Sequence, residues 1–165
     1  MHTIGPPNTS PANTRRRYGL RMHNEIDLTR ARAAAEAALD AAERNGKRIS
    51  VTVVDHRGHD VFAVRGDGAP WFTVGVARAK AATAALMGAA SGDLAGLRAA
   101  HPDLLDLIGA QTTQPMTTLA GGVPVRLDGR VVGAIGVSGA DPDEDVSFAR
   151  AGIAALASVT ERSGA

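Results

Sequence analysis

The run from Gly121 to Asp145, GGVPVRLDGRVVGAIGVSGADPDED, constrains the fold more than any other part of the chain. Val123, Val125 and Leu127 alternate with polar or small residues up to Asp128-Gly129, a dipeptide suited to the positive φ angles of a two-residue hairpin turn. The return strand, Arg130 to Ser138, is rich in β-branched residues. Its Gly133 and Gly136 leave backbone uncovered where a side chain, helix or ligand can approach closely. Asp141 then reads as an N-cap, Pro142 as the first helical residue and Glu144 as the acid of a capping box, so a helix begins there. Asp143, Glu144 and Asp145 offset the dipole of that helix, with a bound cation as the alternative use of the same charges.

The rest of the chain supplies partners for this run. From Asp27, the positions Leu28, Ala31, Ala35, Ala38, Leu39 and Ala42 recur at helical spacing until Gly46. Ile49 to Asp55 reads as a strand, His56 to His59 as a turn, and Asp60 to Arg65 as the antiparallel partner. The Gly- and Pro-rich loop Gly66 to Pro70 then delivers Trp71 and Phe72 to one place. A second helix over Thr73 to Met87 sets Val76, Lys80, Thr83 and Met87 on one face, which puts a lysine in an apolar stripe. Ser91 or Asp93 caps a shorter helix that Pro102 interrupts, and Gly109 to Ala120 reads as a loop with Met116 to Leu119 extended at its end. Val146, Ala149, Ile153, Leu156 and Thr160 mark the inner face of a last helix. This order gives an α+β fold, an antiparallel sheet of about five strands flanked by helices.

Bulk properties narrow the function. With 165 residues, 44% hydrophobic content and a net charge of +1, the chain is sized for a single domain, residues 26 to 165, behind a disordered N-terminal tail, residues 1 to 25. Near-neutral charge leaves no footprint for nucleic acid, and the short Arg15-Arg16-Arg17 run does not alter that. No apolar run reaches membrane-spanning length, so membrane is not an expected partner. The absence of cysteine excludes disulfides, thiolate ligands and a cysteine nucleophile, and fits a reducing compartment. The tail carries arginines without the apolar core of a secretion signal, so a cytoplasmic location is expected. No phosphate loop, dinucleotide fingerprint or serine elbow is present.

The segments LTRARAAAEAAL, ISVTVVDHRGHDVFAVRGDGAP, ARAKAATAAL and GGVPVRLDGRVVGAIGVSGADPDED, in this order, resemble the GlcG/HbpS family. These are small haem-binding and glycolate-operon accessory proteins, also found as the C-terminal domain of some corrinoid adenosyltransferases. The resemblance spans Leu28 to Leu156 and implies a profilin-like fold, homo-oligomers of two or more chains, and an accessory role beside oxidative pathways. It also implies haem as the candidate cofactor; the residues alone name none. Two departures stand out: Ala120 replaces a glycine found in many relatives, and residues 1 to 25 do not read as the secretion signal of the extracellular haem-sensing members, so their regulatory role is not expected here.

Lys80 is the leading candidate site residue. An amine on an apolar face must reach solvent or find an anion, so it binds a ligand carboxylate, acts as a base, or pairs with Asp67 or Asp55. Gly121, Gly122, Val123 and Pro124 form either a backbone wall whose amides hold an anionic or carbonyl group, or a plain turn into a strand. Asp67, Trp71 and Phe72 are the expected neighbours of that wall, the aromatic pair serving to stack on a flat ligand or to anchor an interface. His56 and His59 read as exposed turn residues or metal ligands, and His101 as a solvated side chain or an axial haem ligand. No metal site is assigned. The expected site is a cavity between the second helix, the Asp67 loop and the Gly121 loop, taking a flat, partly anionic small molecule. An enzyme acting on an oxidised or aromatic metabolite, with Lys80 as tentative catalytic base or clamp, is the first alternative. A purely structural oligomerisation domain, its pocket filled by Trp71, Phe72 and Met87, is the second.

Overall fold

A computed structural model describes residues 25–162, with side chains through Leu156. The expected tail lies outside the described residues apart from Glu25, as does the side chain of Thr160. Helix α1 (Leu28–Arg44) starts at the Asp27 cap, whose carboxylate accepts the Arg30 amide at 2.8 Å. Strands β1 (Ser50–Asp55) and β2 (Asp60–Arg65) form the first hairpin, and α2 (Thr73–Met87) follows the aromatic pair. A 3-10 turn (Ser91–Leu94) and two short helices, α3 (Ala95–Ala100) and α4 (Pro102–Gly109), lead to β3 (Gly122–Leu127) and β4 (Arg130–Ser138). Helix α5 (Pro142–Arg162) closes the described chain. The β3–β4 turn has φ 50° at Asp128 and 77° at Gly129, the conformation that the Asp-Gly signal predicts.

The four described strands are antiparallel throughout, in the order β2-β1-β4-β3. The two central strands, β1 and β4, are covered on both faces, α2 lying on one side and the packed pair α1 and α5 on the other. Consequently β1 is buried from Ser50 to Val54 and does not show the alternation of a half-exposed strand. Its Val51 and Val53 join Ile49, Ile135, Val137 and Phe148 in the core beneath α1 and α5. Each such aliphatic side chain, fully removed from water, contributes about 1.5–3 kcal/mol. Small residues set the helix spacing: Ala31, Ala34, Ala35 and Ala38 of α1 are all fully buried.

The sheet has four described strands, against an expectation of about five. Met116 to Leu119 is irregular, because side chains take the backbone groups a ladder would use. The Thr117 amide donates to the Thr83 hydroxyl at 2.9 Å, and the Leu119 carbonyl accepts from Ser91 at 2.6 Å. On the other side of α2, Gly122 and Gly136 let the helix backbone touch the sheet: a Cβ at Gly136 would overlap the Ala77 carbonyl, and one at Gly122 the Lys80 carbonyl. The expected stripe on the last helix is displaced by one position. Asp145, Phe148, Ala149 and Gly152 are buried, whereas Val146 and Ile153 are only half-buried.

Candidate functional site

Lys80 sits in the middle of α2, 4% exposed, and its ammonium faces the end of β4. Nζ donates to the Val137 carbonyl at 2.9 Å and to the Asp145 carboxylate at 2.8 Å. The partner is therefore Asp145, not Asp67 or Asp55. The other Asp145 oxygen accepts the Ala140 amide at 3.1 Å, so both carboxylate oxygens are engaged. Burial pushes the Asp145 carboxyl above its usual 3.8, against the opposing pull of the Lys80 hydrogen bond and charge. The signal for Asp145 was present in the sequence: it stands four residues before Ala149 and seven before Gly152, on the buried face of α5.

Gly121 closes over this pair. At φ 122°, a Cβ on it would stand 2.6 Å from the Val137 carbonyl oxygen and 2.9 Å from Lys80 Nζ. Its carbonyl accepts the Val137 amide at 3.0 Å, and the Gly122 amide donates to Ser91 Oγ at 2.9 Å. The Gly122 amide is thus occupied within the protein. Val123 and Pro124 are half-buried in β3.

Trp71 and Phe72 lie elsewhere, immediately before the start of α2. They are 82% and 51% exposed, set edge to face with ring centroids 5.9 Å apart, at the head of an open groove of about 440 Å³. Val76 and Ala79 of α2 form one wall, and Pro115, Thr117 and Leu119 the other. Arg78 brings a guanidinium to its margin, with Nε on Asp60 at 2.7 Å. Asp67 belongs to a third place, a groove with Lys47 and Arg48. The expected site residues thus fall into three groups: Lys80 with Gly121 and Gly122, Trp71 with Phe72, and Asp67 apart from both.

The histidines occupy local roles. His56 Nδ1 is 3.8 Å from Glu25, and His59 Nδ1 is 3.7 Å from Asp55, which also accepts the Arg57 and His59 amides across the turn. His101 is exposed at the junction of α3 and α4. Among the described residues no three acidic, histidine or cysteine side chains come together as a metal site. At the start of α5, Glu144 accepts the Asp141 amide at 3.2 Å, which is the expected half of a capping box. It also pairs with Lys47 at 2.8 Å, a contact that holds the Glu144 carboxyl below and the Lys47 ammonium above their ordinary values.

A four-stranded antiparallel sheet between one helix and a helical pair, with an open aromatic groove along the single helix, defines a small α+β protein of the profilin-like class. The chain belongs to the HbpS-like family, described as haem degrading protein HbpS-like, which it matches over residues 26–154. It is similar to a double-substituted HbpS of Streptomyces reticuli, at 36% identity and TM-score 0.74, covering 94% of this chain and 99% of that one. It also resembles protein GlcG of Escherichia coli K12, at 32% identity over 124 residues, 71% of this chain and 85% of GlcG. A complex of PduOC with haem superposes at TM-score 0.71, with 25% identity, over 79% of this chain and 94% of that one. No helix among the described residues is long and apolar enough to cross a membrane.

Proposed function

We propose that this protein binds a flat, partly anionic small molecule of the haem type on the groove headed by Trp71 and Phe72. We further propose that it does so as a cytoplasmic homo-oligomer accessory to an oxidative pathway. The observation that carries the reading is the exposure of those two rings beside Val76, Pro115 and Leu119, an apolar surface that water solvates poorly and a planar ligand covers well. The family description and the haem complex of PduOC support the same ligand class. Exposed Leu104 and Leu107 on α4 support self-association.

The residues present fit the faces and the edge of a tetrapyrrole. Trp71, Phe72 and Leu119 offer ring and aliphatic surface, and the Arg78 nitrogens not engaged by Asp60 offer donors to a carboxylate. The described lining includes no imidazole, thioether, thiolate or phenolate, so recognition here rests on the macrocycle and its acidic edge. Haem, when bound, supplies the redox chemistry; this chain supplies surface and charge. The engagement of the Lys80 ammonium by Val137 and Asp145 supports a structural part for that side chain in place of base catalysis.

Titration of the protein with haem tests the reading, because Trp71 is the only tryptophan and its quenching reports occupancy alongside the Soret band. Saturation at stoichiometric haem, weakened about tenfold or more in Trp71→Ala, is the expected result. A linear Soret response with no saturation, or an unchanged affinity in Trp71→Ala, overturns it.

A further inference from the structure

The groove that holds Asp67 lies apart from the aromatic one and shares no lining residue with it. It encloses about 650 Å³ between the C-terminal turn of α1, the loop into β1 and the loop leaving β2, a volume in the range of ordinary small-molecule sites. Ile49 and the half-buried Leu39 line it with apolar surface. Lys47 is taken up by Glu144, but Arg48, Glu43 and Asp67 have no ion pair or side-chain hydrogen bond among the described residues. Opposite charges thus share one groove without neutralising each other.

The guanidinium is seated as well as unpaired. A Cβ at Gly68 would stand 2.7 Å from Arg48 Nη1 and 2.9 Å from its Cδ, and φ at Gly68 is 75°. Position 68 therefore favours glycine for its backbone angle and for the side chain that rests on it. Glu43 stands in the last turn of α1, where the carbonyl end of the helix adds partial negative charge to its own. A lone anion would satisfy Arg48 and meet repulsion from Glu43 and Asp67; a lone cation would meet the converse.

We propose that this groove binds a small zwitterionic amino carboxylate, its carboxylate on Arg48, its ammonium beside Glu43 and Asp67, and its carbon chain over Leu39 and Ile49. A guanidinium holds a carboxylate through paired charge-assisted hydrogen bonds, and two carboxylates near a helix C-terminus hold an ammonium. The site is independent of tetrapyrrole binding.

The probe is γ-aminobutyrate, followed by amide chemical shifts of Gly46, Gly66 and Gly68 in the full chain, with butyrate and butylamine as single-charge controls. The expected result is saturable shifts with γ-aminobutyrate and at least about tenfold weaker binding of each control, since each lacks one charged hydrogen-bonding group. Arg48→Ala abolishes the shifts, and so does Gly68→Ala. Trp71→Ala leaves them unchanged. Arg48 is exposed, so its removal spares the fold, as a native circular dichroism spectrum verifies. Non-saturating shifts, equal binding of butyrate or butylamine, or full binding by Arg48→Ala overturns the proposal, whatever the outcome with haem.

Discussion

Lys80 and Asp145 form a buried ion pair, 2.8 Å apart, between helices that lie on opposite faces of the sheet. They meet at the end of β4, where the Val137 carbonyl and the Ala140 amide take up further hydrogen-bonding capacity. The pair ties α2 to α5 around the sheet, and the missing side chain at Gly121 gives the ammonium its space.

Removing one member leaves a buried charge alone. Lys80→Met or Asp145→Leu is expected to lower stability by about 3–5 kcal/mol, whereas the double substitution, which leaves no orphan, recovers much of that loss. Urea denaturation of the four proteins measures the coupling. Simple additivity of the two losses would show that the pair is not the source.

Close approach of α2 to β4 makes Gly136 intolerant of even a methyl group. A Cβ there meets the Ala77 carbonyl, a backbone atom that cannot rotate away, so Gly136→Ala must displace the helix. The expected cost, about 3 kcal/mol or more, lies at the upper end of what overpacking produces. Thermal unfolding checks it, and a melting temperature equal to the parent's contradicts the packing described.

Thr52 presents the converse case. Its hydroxyl, on the face that Gly136 turns to α2, is buried with no hydrogen-bond partner among the described residues, so the folded state carries the desolvation cost of that group. Thr52→Val keeps the shape and removes the polar atom. The expected change is between neutral and about 1 kcal/mol of stabilisation; a clear loss of stability in urea would reveal a partner for the hydroxyl.

The acids at the head of α5 are shifted in opposite directions from their ordinary values. Glu144 is held below its ordinary 4.5 by Lys47, so its contribution is present above that value and is lost as pH falls through the folded pKa. Lys47 is held above 10.5 by Glu144, so the same pair weakens at the alkaline end as pH rises through that folded pKa. The stability gap between parent and Glu144→Gln is therefore widest near neutrality and closes at both extremes. Asp145 has the other sign: burial disfavours its ionised form, and its contribution declines as pH rises from 3.8 through its raised folded value. Carboxyl carbon NMR checks both directions, with the Asp145 midpoint above 3.8 and the Glu144 midpoint below 4.5.

The elements themselves were legible in the sequence because their signals are local. Asp27 and Asp141-Pro142 open helices, Asp128-Gly129 turns a hairpin, and Thr73 to Met87 runs as one helix, each decided by residues within a few positions of one another. The run of Met116 to Leu119 was not legible. Its extended character is visible in the sequence, but hydroxyls of Thr83 and Ser91, far away in the chain, take its backbone groups before a strand can.

For the candidate site, the sequence by itself determined that Lys80 would be held on a covered helix face and that glycines would stand where backbone comes close. It did not single out the right anion for that lysine: Asp55 and Asp67 were the partners it offered, and Asp145 read only as a charge at the head of the last helix until the sheet was assembled. Only the tertiary structure decided for Asp145, by bringing the fourth position of α5 round to the end of β4. It also parted Asp67 from Trp71 and Phe72: chain neighbours a few residues apart reach different grooves when a loop turns between them, since side-chain direction is set by packing and not by distance along the chain.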